Sequence, residues 1–154
     1  MNRLTIGALL VLTGLARAVP SVACISAPAP VPRSAPAGST AEDEYNRGLR
    51  ARTAKDWNGA AAAFRRAVEL KPAFPEAWNG LGHALRNQGK YAESLKAYDE
   101  ALRLKPDYPE ALEYLGEAYV KLGRVDDARR VLDRLKPLDQ ERAKDLAATI
   151  DKGR

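Results

Sequence analysis

The chain has 154 residues, 45% hydrophobic and 29% charged, with a single cysteine, a single histidine and a formal charge of +5. That length allows one modest domain plus a tail; the lone cysteine excludes an internal disulfide, and the repeats beyond it hold no second imidazole or thiol to join His83 as a metal-ligand or nucleophile pair. Arg3, Arg17 and Arg33 precede every acid, and taking them from the 25 basic residues leaves 22 against 20 interleaved acids, which excludes the basic, aromatic-studded stripe of a nucleic-acid binder.

Residues 1–23 read as an export signal: a short positive start at Arg3, an apolar run from Leu4 to Ala16, then Pro20 and small residues. The run has 13 residues, too few for a membrane span, which needs about 20. Cys24 follows Ser21-Val22-Ala23 directly. This resembles the lipobox of bacterial lipoproteins, although that family prefers leucine where Ser21 stands. The resemblance implies lipidation of Cys24 and an anchor on the periplasmic side of a bacterial membrane, with Ile25 in place of aspartate favouring the outer membrane. Ordinary cleavage after Ala18 or Ala23, giving a soluble periplasmic or secreted protein, and retention as an uncleaved anchor are the alternatives.

Residues 24–40 form a Pro/Ala/Ser-rich tether in which Pro28, Pro30, Pro32 and Pro36 remove backbone donors and favour an extended chain. At about 3.1 Å per residue, residues 25–40 can hold a domain up to about 50 Å from an anchored Cys24. Thr40, followed by Glu42, Asp43 and Glu44, then offers a helix start. Apolar spacing predicts paired helices over 41–54 and 58–70, 76–88 and 92–104, and 110–122 and 126–135. Pro72 and Pro106 end second helices, and Pro75 and Pro109 suit first turns. After Pro137, residues 138–154 hold a polar capping helix with a narrow stripe of Leu138, Leu146, Ala147 and Ile150, and a short tail.

Gly48, Gly82 and Gly116 recur every 34 residues, as do Ala60, Ser94 and Ala128. A period of that length means stacked supersecondary units. The central copy carries Trp78, Leu81-Gly82, Leu85, Tyr91, Ser94, Tyr98, Ala101 and Pro106. The first supplies Gly48, Ala51, Trp57, Ala60, Phe64, Ala67 and Pro72, and the third Leu112, Leu115-Gly116, Tyr119, Gly123, Val125, Ala128 and Leu132. These offsets resemble the tetratricopeptide repeat. The resemblance implies an all-α, right-handed solenoid of about three helical hairpins (41–74, 75–108 and 109–137) plus the capping helix. Small residues at the glycine and alanine positions let the paired helices approach, while Phe64, Tyr98 and Leu132 project between hairpins. Glu44 and Arg47, at apolar positions of the repeat, are expected to face solvent on the first hairpin's outer side.

No phosphate loop, metal-ligand cluster or acid–base pair stands out, so no enzyme activity, cofactor or metal is expected. In the resembling family the first helices line a concave groove that takes a protein or peptide. Mapped here, that groove comprises Tyr45, Asn46, Leu49 and Arg52, then Asn79, His83, Arg86 and Asn87, then Glu113, Tyr114, Glu117 and Lys121, beside Thr53, Glu76 and Glu110. Family members that grip a peptide's terminal carboxylate use lysine, asparagine and arginine where this chain has Tyr45, Leu49, Gly80, Glu110 and Tyr114, so that grip is not expected. The expectation is a monomeric adaptor for a protein or peptide, without nucleic-acid binding and touching membrane only through a lipidated N-terminus. The competing expectation is an envelope component that self-associates by repeat stacking.

Overall fold

The computed structural model describes residues 38–153; the expected export segment, Cys24 and most of the tether lie outside the described residues. Residues 38–153 form α1 (Ala41–Thr53), α2 (Trp57–Leu70), α3 (Pro75–Asn87), α4 (Tyr91–Leu104), α5 (Pro109–Lys121), α6 (Val125–Leu135) and α7 (Gln140–Lys152), with no strand among them. The expected helix bounds hold to within about two residues.

Local chemistry sets these ends. Thr40 and Asp43 form a capping box: the Thr40 hydroxyl accepts from Asp43 N at 3.1 Å, and the Asp43 carboxylate accepts from Thr40 N at 3.0 Å. Asp56 caps α2 through Gly59 N, while α3 and α5 begin on Pro75 and Pro109 without a side-chain cap. Each hairpin turn closes on the same bond, from Asp56 N to Ala51 O, Lys90 N to Leu85 O and Arg124 N to Tyr119 O. The turn needs a left-handed residue, and Gly89 (φ 77°) and Gly123 (φ 71°) supply it; the first hairpin uses Lys55 (φ 57°).

Successive helices pack on one another from α1 to α6, and α7 lies against both α5 and α6. The fully buried Phe64 ring sits between two first helices, where a Cβ on Gly48 would stand 2.6 Å from the ring and one on Gly80 2.8 Å. Gly82 likewise faces the fully buried Tyr98, with 2.6 Å left for a Cβ. The two junctions differ, because the position 34 residues after Gly80 is Tyr114, whose ring lies 6.2 Å from that of Tyr98.

Three expectations are corrected. In the third hairpin the side chain that meets Gly116 is Leu146 of α7, not Leu132, which is only half-buried and lines an open groove of about 330 Å³ with Ala143 and Ala147. The cause is Pro137: α6 has 11 residues where α2 and α4 have 14, so the chain turns back early and α7 enters the seam. Leu138 is 39% exposed in the turn before α7, and Ala143 takes its place in the buried stripe with Leu146 and Ile150. Glu44 is 1% exposed rather than solvent-facing, held by the Ser39 hydroxyl, which donates to it at 2.8 Å, and by the Arg47 guanidinium.

Candidate binding groove

α1, α3 and α5 carry the expected groove residues, and the structure sorts them by environment. Tyr45 is half-buried against Phe64 and Phe74, with ring centroids 5.7 and 4.9 Å away. Leu49 packs at the edge of the same core. Asn46 and Thr53 are exposed and Arg52 is half-buried. Asn79 is only 3% exposed, so it does not share a surface row with His83 and Asn87; its Nδ2 donates to the Tyr108 hydroxyl at 3.3 Å and its Oδ1 has no partner. Glu113 is also buried, at 8% exposure, in an ion pair with Arg142 of α7.

The middle of the groove is a cluster of tilted and edge-on aromatic rings. His83 lies between Trp57, 5.6 Å away, and Tyr114, 5.0 Å away, while the Arg86 guanidinium covers the Tyr114 ring at 4.8 Å and pairs with Glu117 of the next hairpin. Burial first, and then the Arg86 and Arg52 charges, push the His83 pKa down to about 4, so the imidazole is neutral at physiological pH. Asn87 is exposed and its Nδ2 donates to the His83 carbonyl at 2.8 Å, so its own side-chain carbonyl remains available as an acceptor. Arg86, Asn87, Glu117 and Lys121 share a cleft of about 440 Å³ with Tyr91 and Thr149.

The groove has two charged edges. Glu76 and Glu110 begin α3 and α5, whereas Arg52, Arg86 and Lys121 stand in the last turns of α1, α3 and α5. Burial and the Glu110 and Glu76 charges raise the Tyr108 hydroxyl to about 12 and push Tyr45 up as well. Among the described residues no group of three His, Cys, Asp or Glu side chains could hold a metal, and no helix is long and apolar enough to cross a membrane.

Trp57, Tyr91, Tyr108 and Thr149 were not among the groove residues drawn from the sequence. Trp57 and Tyr91 hold repeat positions that read as hairpin packing, and Tyr108, just ahead of Pro109, has no role in the sequence reading. Thr149 lies on α7, outside the repeat, and carries no sequence signal of its own.

The TPR repeat family matches residues 48–89 and 82–123. The fold is a tetratricopeptide-repeat solenoid. The TPR2B domain of yeast Sti1, solved with a pHsp70 peptide, matches with a TM-score of 0.70 and 19% identity over 74% of this chain and 98% of that one. The second TPR domain of human RPAP3, in complex with the HSP70 peptide SGPTIEEVD, matches with a TM-score of 0.68 and 21% identity over 72% and 94%. MamA, at 25% identity and a TM-score of 0.63, is matched over 68% of this chain and 61% of its own length. No curated protein matches the chain by sequence.

Proposed function

We propose that this chain is a non-catalytic adaptor, exported to the bacterial envelope and anchored through a lipidated Cys24, whose tetratricopeptide groove binds an extended segment of a partner protein. The observation that carries the reading is the groove itself. The exposed Asn87 amide and a neutral imidazole line its centre, and opposite charges line its edges. An extended segment exposes donors and acceptors along both sides of its backbone, and such a lining can meet them. The peptide complexes of Sti1 and RPAP3 support the same mode. The acidic RPAP3 peptide SGPTIEEVD does not suit this chain, because Glu76 and Glu110 stand on the groove's edge.

Two measurements test the parts separately. A photocrosslinker at Asn46 or Asn87, both exposed, is expected to capture a partner segment when the full chain is expressed in its cell, with no capture from the exposed far-side position Arg65. Equal capture from both faces refutes the groove. Intact mass of the membrane fraction is expected to show a species beginning at Cys24 with acyl mass added, absent in Cys24→Ala. An unmodified soluble species refutes the anchor and leaves a diffusing adaptor.

The open apolar groove beside Leu132, Ala143 and Ala147 favours a second reading, self-association through the solenoid's end. Light scattering decides it, since a strict monomer removes it.

A further inference from the structure

A second motif repeats with the hairpins. Glu42 of α1 bonds Lys71 at 2.7 Å, and the Lys71 ammonium stands 4.9 Å from the centre of the Phe74 ring. Thirty-four residues on, Lys105 lies 3.8 Å from Glu76 and 4.5 Å from the centre of the Tyr108 ring. Each unit holds one lysine between a carboxylate in the first turn of a first helix and the aromatic residue that precedes the next first helix. The chain thus satisfies the same carboxylate with an internal cation twice.

The third carboxylate is Glu110, and its unit is incomplete. Asp139 stands where the lysine belongs and Arg142 where the aromatic residue belongs. Asp139 is committed to capping α7, accepting from Arg142 N at 3.0 Å, and the Arg142 guanidinium is bonded to Glu113. Glu110 therefore has no ion-pair partner among the described residues, although the Arg142 charge is near enough to feel it. Around it lie Tyr108, Tyr114 and Tyr45, whose hydroxyls are all pushed up by burial and by the Glu110 charge. Beneath Tyr108 is the buried Asn79 amide, with its Oδ1 unpartnered. A carboxylate that holds the Tyr114 hydroxyl but no cation, a buried amide oxygen short of a donor and aromatic rings are complementary to a guanidinium or ammonium group.

We propose that Glu110, with the Tyr108 and Tyr114 rings and the Asn79 amide, forms a subsite that receives an arginine or lysine side chain of the partner segment, in the role that Lys71 and Lys105 fill in the earlier units. The proposal rests on the peptide-groove reading and adds the sign of the residue that reads this edge. Lys105 is committed to Glu76 and the Tyr108 ring and does not pair with Glu110. A partner side chain approaching Glu110 meets a carboxylate that has no ion-pair partner among the described residues.

The probe is N-acetyl-arginine amide, with N-acetyl-citrulline amide as its uncharged isostere, titrated into the full chain by heteronuclear NMR. Saturable shifts are expected at the Asn79 side-chain amide and at the backbone amides of Tyr108 and Glu110, with arginine preferred over citrulline about fivefold, the upper range of an exposed ion pair. Glu110→Gln is expected to abolish the preference, and Glu42→Gln, whose parent carboxylate has its own lysine, to leave it intact. Equal binding of both probes, absence of shifts at these amides, or an unchanged preference in Glu110→Gln overturns the subsite. A partner segment captured at Asn87 that binds Glu110→Gln as tightly as the parent overturns the subsite alone and leaves the groove reading standing. Arginine shifts at Glu110 without any captured segment would do the reverse.

Discussion

Gly82→Ala sets two effects of opposite sign against each other. Alanine in place of glycine inside a helix gains about 1 kcal/mol of propensity. Against that, the new Cβ would stand 2.6, 2.7 and 2.9 Å from three atoms of the Tyr98 ring. Carbon contacts become attractive only at about 3.5 Å, and the Tyr98 ring is fully buried, so it has no empty space to retreat into. Overpacking of this kind costs about 1–3 kcal/mol, and three close contacts put this case in the upper part of that range. The expected net loss is about 1–2 kcal/mol, measured as a shift in the urea midpoint of the full chain at constant slope. The same substitution in a Tyr98→Leu background has no ring to meet. There it should be neutral or stabilising, which gives a coupling of about 1–3 kcal/mol in the double-mutant cycle. A stabilised Gly82→Ala protein, or an equal loss in both backgrounds, would refute the close approach of α3 and α4 as the reason for this glycine.

Lys55→Gly is expected to raise the urea midpoint, because Lys55 holds the left-handed turn conformation that glycine holds at positions 89 and 123; relief of about 1–2 kcal/mol is partly offset by glycine's greater freedom in the unfolded chain, so the net gain is about 1 kcal/mol or less. Tyr98→Phe removes a buried hydroxyl that has no partner and should be neutral or stabilising by up to about 1 kcal/mol in the same assay, whereas a loss above that would reveal a bond to the hydroxyl. His83 has a folded pKa of about 4, below its usual 6.5, so the unfolded chain binds more protons between those values. Its contribution is therefore complete above about pH 6.5 and lost as pH falls toward 4. Solvent screening of a half-buried ring limits this to about 1–2 kcal/mol. The urea midpoint of the parent should fall more steeply than that of His83→Gln across this window, and parallel profiles would refute the burial of the imidazole.

The hairpins were legible because their causes are local. The glycine period, the prolines at helix starts and ends, and Thr40 with Asp43 act within a few residues of where they stand. What was not legible depends on contacts between hairpins. Asn79 and Glu113 read as groove surface, yet each is buried by a partner 29 residues away, Tyr108 and Arg142 respectively. Glu44 sits at an apolar repeat position and nothing in the period says that Ser39 and Arg47 will enclose it. Leu146 fills the Gly116 seam because of the angle at which the chain returns after Pro137, and no repeat offset encodes that angle. The charge of the groove's edges was readable, but which carboxylates already have lysines was not.

Gly80 and Tyr114 occupy the same place in successive hairpins and do opposite things there. Glycine lets the α3 backbone lie against Phe64, while Tyr114 interposes a ring beside Tyr98, and α2 meets α3 more extensively than α4 meets α5. The repeat is therefore periodic in sequence but not in packing. On the proposed groove reading, an extended guest would cross two unlike junctions in succession, and the repeat position held by Gly80 and Tyr114 is what tells them apart.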